Sequence, residues 1–299
     1  MADLRLQGVL TALATPFTAE GSEIDWASYE RLLQSQLDAK VAGVVPCGTT
    51  GETSTLTEAE QHALIERTVR QVKGRAIVVA GTGSNDTKKS IQSTRAAFDA
   101  GADAAMLVTP YYNRPSQEGL LRHVSLVAQA VPGPIVLYNV PARSSVELSV
   151  ETLLRILDLC PNVVALKDAS GGVLYTQDLL GKAKDRLVVF SGDDPLTLPL
   201  ISVGAKGVIS VTSNVYPKGV VECVDAALAG QTELALRRHR ALYPLHRGLF
   251  IEPSPSPVKA ALVTRGIFTE ATVRPPLAEA TPTLRGRLAE LMAAYEASA

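Results

Sequence analysis

Lys167 closes the apolar run Val163-Val164-Ala165-Leu166-Lys167-Asp168, and an amine at the end of a buried segment is where Schiff-base chemistry can begin. Partial desolvation disfavours the ammonium form and lowers the amine pKa, and a neutral amine attacks a carbonyl. A lysine that only marks the point where a strand surfaces would look the same, because most such side chains reach water. Three other segments carry groups that could act with it. Gly48-Thr49-Thr50-Gly51-Glu52 sets two hydroxyls between glycines, offering N–H and O–H donors to a carboxylate. An ordinary turn with a helix cap has the same composition. Thr109-Pro110-Tyr111-Tyr112-Asn113-Arg114-Pro115 pairs two tyrosines in a proline-bounded loop, which suits interface packing as well as proton relay. Tyr138-Asn139-Val140-Pro141-Ala142-Arg143 supplies a phenol and a guanidinium. An arginine fork suits a substrate carboxylate, whereas a surface ion pair is the usual fate of arginine.

Ser191-Gly192-Asp193-Asp194 hints at a metal through its paired acids, but helix N-capping by aspartate ahead of Pro195 accounts for them more simply. His62, His123, His239 and His246 have no partner at metal-ligand spacing, and Cys47, Cys160 and Cys223 form no Cys-x-x-Cys pair. No metal and no organic cofactor is expected. The three cysteines, odd in number and far apart, also argue against a disulfide framework.

Such side chains act only if the fold gathers them. Eight short apolar runs, at 9–15, 43–48, 76–82, 104–109, 135–140, 163–168, 187–192 and 207–211, alternate with segments of helical length. Continuous rather than alternating apolar runs indicate strands covered on both faces, as in a parallel sheet. The spacing predicts a helix over 58–72, with Thr57 as N-cap and Glu60 at capping-box spacing. Another is predicted over 87–100, ended by Gly101. Eight strand–helix units close into a (β/α)8 TIM barrel, whose functional groups sit at the C-terminal ends of the strands. An open doubly wound sheet shares this alternation, but Gly81-Thr82-Gly83-Ser84-Asn85-Asp86 has Asp86 where a dinucleotide fingerprint needs its third glycine. The expected division is a barrel over 1–230 and a C-terminal helical appendage over 231–299. There, Leu284, Leu288, Leu291, Met292 and Tyr295 share one helix face, and Pro253, Pro255 and Pro257 break the chain between two helices.

Of the 299 residues, 46% are hydrophobic but only 5% aromatic, so small aliphatic side chains must fill the core. A net charge of −1 lacks the basic footprint of a nucleic-acid binder. No stretch has the length and apolarity of a membrane span, and the first seven residues lack the charged-then-apolar pattern of a secretory signal. The expectation is a cytoplasmic protein acting on small molecules.

Taken in order, the 48–52 turn, the 109–120 stretch, 138–143, Lys167 in its run, 191–194, 207–211 and Glu252-Pro253-Ser254-Pro255-Ser256-Pro257-Val258-Lys259 resemble one family. It is that of the class I pyruvate-dependent aldolases and lyases, and within it the dihydrodipicolinate synthases; the resemblance runs from Gly8 to Pro276. It implies that Lys167 forms an imine with pyruvate, and that Thr50 and the amides of its loop hold the pyruvate carboxylate. It implies further that Tyr138 shuttles protons with Thr49 and Tyr112 as relay partners, Tyr112 reaching into the adjacent subunit. Gly192 and Ile209 match backbone positions lining the pyruvate pocket. Arg143 matches the arginine that receives the carboxylate of aspartate semialdehyde, which the related sialic acid lyases generally lack. The implied reaction yields 4-hydroxy-tetrahydrodipicolinate for lysine and diaminopimelate biosynthesis, and the implied assembly is a homotetramer made of two dimers.

Lysine-inhibited members of the family carry histidines and a glutamate where Glu58, Gln61 and Lys89 stand here. A cation at Lys89 repels the ammonium of lysine, so weak or absent feedback inhibition is expected. A second reading within the superfamily is an aldolase acting on N-acetylneuraminate, 2-keto-3-deoxygluconate or 4-hydroxy-2-oxoglutarate, against which Arg143 weighs. A third, a binding or structural oligomer without turnover, leaves the joint presence of Lys167, Tyr138, Thr49 and Tyr112 unexplained. Glu52 and Asp168 read as structural supports of the site.

Overall fold

The apolar runs become eight parallel strands, β1 (Gly8–Ala12), β2 (Gly43–Val45), β3 (Ile77–Gly81), β4 (Ala104–Val108), β5 (Ile135–Asn139), β6 (Val163–Asp168), β7 (Val188–Ser191) and β8 (Gly207–Ser210). Each pairs with the next and β8 pairs with β1, closing a barrel. The computed structural model describes residues 6–298. Between successive strands run α1 (Trp26–Asp38), α2 (Glu58–Val72), α3 (Thr87–Asp99), α4 (Gln117–Ala130), the single turn α5 (Pro141–Ser144) with α6 (Val150–Leu159), α7 (Val173–Ala183) and α8 (Thr197–Ser202). Four more follow: α9 (Pro217–Leu228), α10 (Thr232–Gly248), α11 (Ser256–Thr264) and α12 (Pro282–Ser298).

Local chemistry sets the helix starts. Thr57 Oγ1 accepts from Glu60 N at 3.2 Å while the Glu60 carboxylate accepts from Thr57 N at 2.8 Å, the reciprocal capping box the spacing predicts. Asp86 accepts from Lys89 N at 2.7 Å to start α3, and Ser116 and Ser149 cap α4 and α6. Gly101, with φ +93, ends the α3 unit in the left-handed region that glycine enters without penalty.

Side chains alternate across a strand, so every second residue enters the barrel. Leu10, Val45, Val79, Met106, Val136, Tyr138, Ala165, Phe190 and Ile209 form one buried interior cluster. Lys167, two residues beyond Ala165, therefore faces the same interior. The opposite faces of the strands pack against the helices in two further clusters.

In the C-terminal region α12 buries Leu284, Leu288, Met292 and Tyr295, with Leu291 half-buried. Pro253 and Pro255 lie in the link between α10 and α11, whereas Pro257 falls in the first turn of α11, where a missing N–H costs nothing. Cys47, Cys160 and Cys223 are buried free thiols. Among the described residues no helix is long and apolar enough to cross a membrane.

Candidate active site

Strand register sets the centre of the site. Tyr138 on β5 pairs directly with Lys167 on β6, and Lys167 with Phe190 on β7. The Lys167 Nζ lies 4.3 Å from the centre of the Tyr138 ring. Both side chains are buried, Lys167 at 5% exposure. Burial lowers the amine of Lys167 to about 8, against the opposing pull of the Asp194 carboxylate and with a smaller push from the Arg143 charge. A substantial neutral fraction is then present near neutrality, which nucleophilic attack requires. Burial raises the Tyr138 phenol above its ordinary value, only partly offset by Arg143 and the Thr49 hydroxyl. Tyr138 thus stays protonated and acts as a hydroxyl.

Low pKa alone does not single out the nucleophile. Lys259 on α11 is also lowered to about 8 by burial, yet its side chain is fully buried and its Nζ donates to Thr272 O at 2.7 Å. Lys167 differs in lying beside a cavity of about 390 Å³ whose wall includes Tyr138, Arg143, Ala169, Gly192, Asp193 and His246. Gly192 forms bare floor beside the nucleophile: a Cβ there would stand 3.1 Å from Lys167 Cγ and 3.0 Å from Asp168 O. Ile209 is buried in the interior cluster below.

The turn after β2 approaches from the other side of the barrel. Gly51 N donates to Gly48 O and Glu52 N to Thr49 O, each at 3.1 Å, which folds Thr49 and Thr50 into a tight turn. Thr50 is buried and Thr49 half-buried. Thr15 Oγ1 holds Gly51 O at 2.8 Å, and a Cβ on Gly51 would sit 3.1 Å from Leu13 O, so glycine is what the close approach permits. Tyr112 stands apart: it is 90% exposed with φ 72, an unusual backbone for a bulky residue, and it does not line the cavity.

The supports are polar and internal. Asp168 accepts from Thr176 Oγ1 and from Ser170 N at 2.9 Å. Asn139 Oδ1 accepts from Leu148 N at 3.0 Å. Asp194 does not cap its own helix, contrary to the sequence reading. Its carboxylate accepts from Ser210 Oγ, from Val211 N at 2.9 Å and from Thr212 N at 3.1 Å, so it ties β7 to β8 and caps the short 3-10 turn Thr212–Asn214. Satisfying donors across the sheet outweighs a local cap, because those amides would otherwise be buried unpaired. Asp193 carries no cap bond either; burial and the neighbouring Asp194 raise its carboxyl, with Arg247 pulling down.

The sequence reading missed one wall of the cavity. His246, Arg247, Phe250 and Ile251, at and just beyond the end of α10, line it, and no local pattern marks them. The His246 ring nitrogen Nδ1 lies 2.8 Å from Thr212 Oγ1, and burial lowers it to about 4, so this wall is a neutral imidazole at physiological pH. Among the described residues no group of three or more His, Cys, Asp or Glu side chains could hold a metal ion.

The profile of the Dihydrodipicolinate synthetase family matches residues 5–295. The chain belongs to that family. A 4-hydroxy-tetrahydrodipicolinate synthase of Sorangium cellulosum is 50% identical over 297 residues, covering 99% of this chain and 98% of that one. Another, of Thermomicrobium roseum, is 47% identical over 288 residues, covering 96% and 94%. Among solved structures, the 4-hydroxy-tetrahydrodipicolinate synthase of Methylacidiphilum fumariolicum SolV superposes with a TM-score of 0.96 at 41% identity, covering 98% of this chain and 97% of that one. The dihydrodipicolinate synthase of Aquifex aeolicus gives 0.94, also at 41% identity, covering 97% and 98%. Family membership thus extends over the barrel and the helices beyond it.

Proposed function

We propose that this chain is a lyase that condenses pyruvate with L-aspartate 4-semialdehyde to 4-hydroxy-tetrahydrodipicolinate, in the route to diaminopimelate and lysine. The observation that carries the reading is the pairing of a buried, low-pKa Lys167 with the Tyr138 phenol beside a cavity that Arg143 borders, in a chain of this family. Lys167 Nζ attacks the ketone carbon of pyruvate and water leaves, giving a protonated imine. The imine draws electrons from the methyl carbon, which loses a proton and becomes a nucleophilic enamine. That carbon bonds to the aldehyde carbon, whose oxygen takes up a proton. Attack by the amino group of the semialdehyde on the imine carbon then closes the ring and frees Lys167.

Tyr138 serves each proton movement as a hydroxyl that gives one proton while receiving another, because its raised pKa makes a free phenolate unfavourable. Thr49, whose hydroxyl bonds the Tyr138 phenol, is its relay partner. Tyr112 supplies the next hydroxyl in the site of a neighbouring subunit, a role suited to its 90% exposure. The proposal therefore includes a homotetramer of two dimers, to which the 81% exposed Leu174 on α7 offers a second contact. Thr50 and the turn amides receive the pyruvate carboxylate, Gly192 and Ile209 shape its pocket, and Arg143 receives the carboxylate of the semialdehyde. A cytoplasmic location, and a division into barrel and helical appendage near residue 230, belong to the same proposal.

The test is a coupled assay with pyruvate, aspartate semialdehyde, NADPH and dihydrodipicolinate reductase. NADPH consumption that disappears in Lys167→Ala supports the reading. No turnover, with pyruvate still trapped on Lys167 by borohydride, removes the semialdehyde and leaves an aldolase for another aldehyde.

A further inference from the structure

Below the Thr49-Thr50 turn lies a buried pair of charges that the imine chemistry does not use. Glu52 ends the turn in a left-handed conformation, φ 56, and sends its side chain inward. There it ion-pairs with Lys259, and both side chains are fully buried at 0% exposure. The second Glu52 oxygen accepts from Arg274 N at 3.0 Å. Lys259 Nζ also donates to Thr272 O at 2.7 Å and lies 4.1 Å from the centre of the Phe17 ring. Arg274 stacks its guanidinium 4.2 Å from the same ring and grips Glu60 with two donors, at 2.6 and 2.9 Å. The segment around Thr272 and Arg274 is thus pinned to α2 on one side and to the turn on the other.

A fully buried ion pair is a poor way to gain stability, because desolvating both charges offsets their attraction. What such a pair does well is hold its members in one arrangement. The turn is also shaped by its own carbonyls, Gly48 O and Thr49 O, and by Thr15 Oγ1 from the loop after β1. Glu52 ties it to the C-terminal third of the chain through Lys259 and Arg274 N, and Arg274 reinforces this with a bond to Thr55 O, three residues on, at 3.1 Å.

We propose that Lys259 is a positioning residue for the pyruvate end of the site, acting through Glu52 to keep the Thr49-Thr50 turn in the shape that receives a carboxylate. The proposal rests on the reading of that turn given above. Lys259 does not line the cavity, and its buried, occupied amine excludes it as a second nucleophile. The chemical class it serves is the small 2-oxo acid, not the aldehyde, since Arg143 borders the cavity from α5, a separate element from those that carry this cluster.

The experiment uses the full-length protein and pyruvate alone. Borohydride trapping on Lys167, read by mass, gives the pyruvate concentration for half-maximal imine formation in the parent, in Lys259→Met and in the double variant Glu52→Gln/Lys259→Met. Melting temperature and the KM for the semialdehyde are measured beside it. Lys259→Met is expected to raise the pyruvate half-saturation about tenfold or more while the aldehyde KM changes little, a split that a merely structural role does not produce. The double variant removes the orphaned buried charge, so its melting temperature recovers while the pyruvate defect stays. Recovery of both together overturns the proposal, as does a folded Lys259→Met with parental half-saturation. If Lys259→Met does not fold, the double variant decides by the same two readings. A parent that traps no pyruvate refutes the functional reading itself, and this inference with it; a parent that traps pyruvate but turns over no semialdehyde leaves this test intact.

Discussion

Replacing Gly192 by alanine asks whether the floor beside the nucleophile has to be bare. The added Cβ would stand 2.9 Å from Ala169 Cβ, 3.0 Å from Asp168 O and 3.1 Å from Lys167 Cγ. Carbon atoms prefer separations of about 3.5–4.0 Å, so something must retreat by about half an ångström. The Asp168 carbonyl is held by Gly192 N at 2.6 Å, and the Asp168 carboxylate by Ser170 N at 2.9 Å. Ala169 Cβ and Asp168 O are fixed to the backbone, so the end of β6 and the Lys167 side chain it carries must shift together. Overpacking of this kind costs about 1–3 kcal/mol, and each kcal/mol lowers the melting temperature of a chain this large by about 2–4 °C. A reacting atom misplaced by about 1 Å can lose roughly a hundredfold in rate. Gly192→Ala is therefore expected to melt a few degrees lower and to form the pyruvate imine about 10–100-fold more slowly by borohydride trapping. A folded variant that traps within about twofold of the parent rate would refute the reasoning.

Because the neutral amine attacks and burial holds Lys167 near 8, imine formation should rise about tenfold per pH unit below that value and level off above it. A flat profile through pH 7 to 9 contradicts this. Arg143→Ala removes a like charge that depresses the Lys167 amine, so the inflection should move to higher pH. The same variant loses a charge-assisted bond worth about 1.5–3 kcal/mol, and its semialdehyde KM should rise about tenfold to a hundredfold; an unchanged KM shifts carboxylate binding elsewhere. Lysine should inhibit weakly or not at all: by the family resemblance Lys89 puts a cation where inhibited members would hold lysine, and Gln61 already spends its side-chain amide on Thr53 O and Leu56 O, at 3.1 and 3.3 Å. Half-inhibition at sub-millimolar lysine would overturn that expectation.

Short-range physics explains what was legible in the chain. The run at 163–168 matches β6 residue for residue, and Thr57 with Glu60 predicted the start of α2. The run at 43–48 overshoots β2, which stops at Val45 because Pro46 and the left-handed Cys47, φ 57, turn the chain away. The proline beside Asp194 points to a cap, while its partners lie 16 to 18 residues away, at the end of β8 and in the turn after it. Arg247 and Phe250 lie on the cavity wall only because α10 folds back over the end of the barrel. Lys259 sits in a proline-rich motif that the family resemblance includes, but its burial against Glu52 is a contact between distant segments, and no local pattern encodes that.

Tyr138 and Lys167 lie side by side on β5 and β6, whereas Arg143 rides on a four-residue helix and the opposite wall comes from the end of α10. The bond-making pair is thus built into the barrel frame, while the surfaces facing the incoming aldehyde are built on separate, short pieces of chain. Mutation can redraw the acceptor pocket without disturbing the amine or the phenol. A scaffold divided in this way is open to natural or laboratory selection for new carbon–carbon bond formations, each inheriting the same enamine.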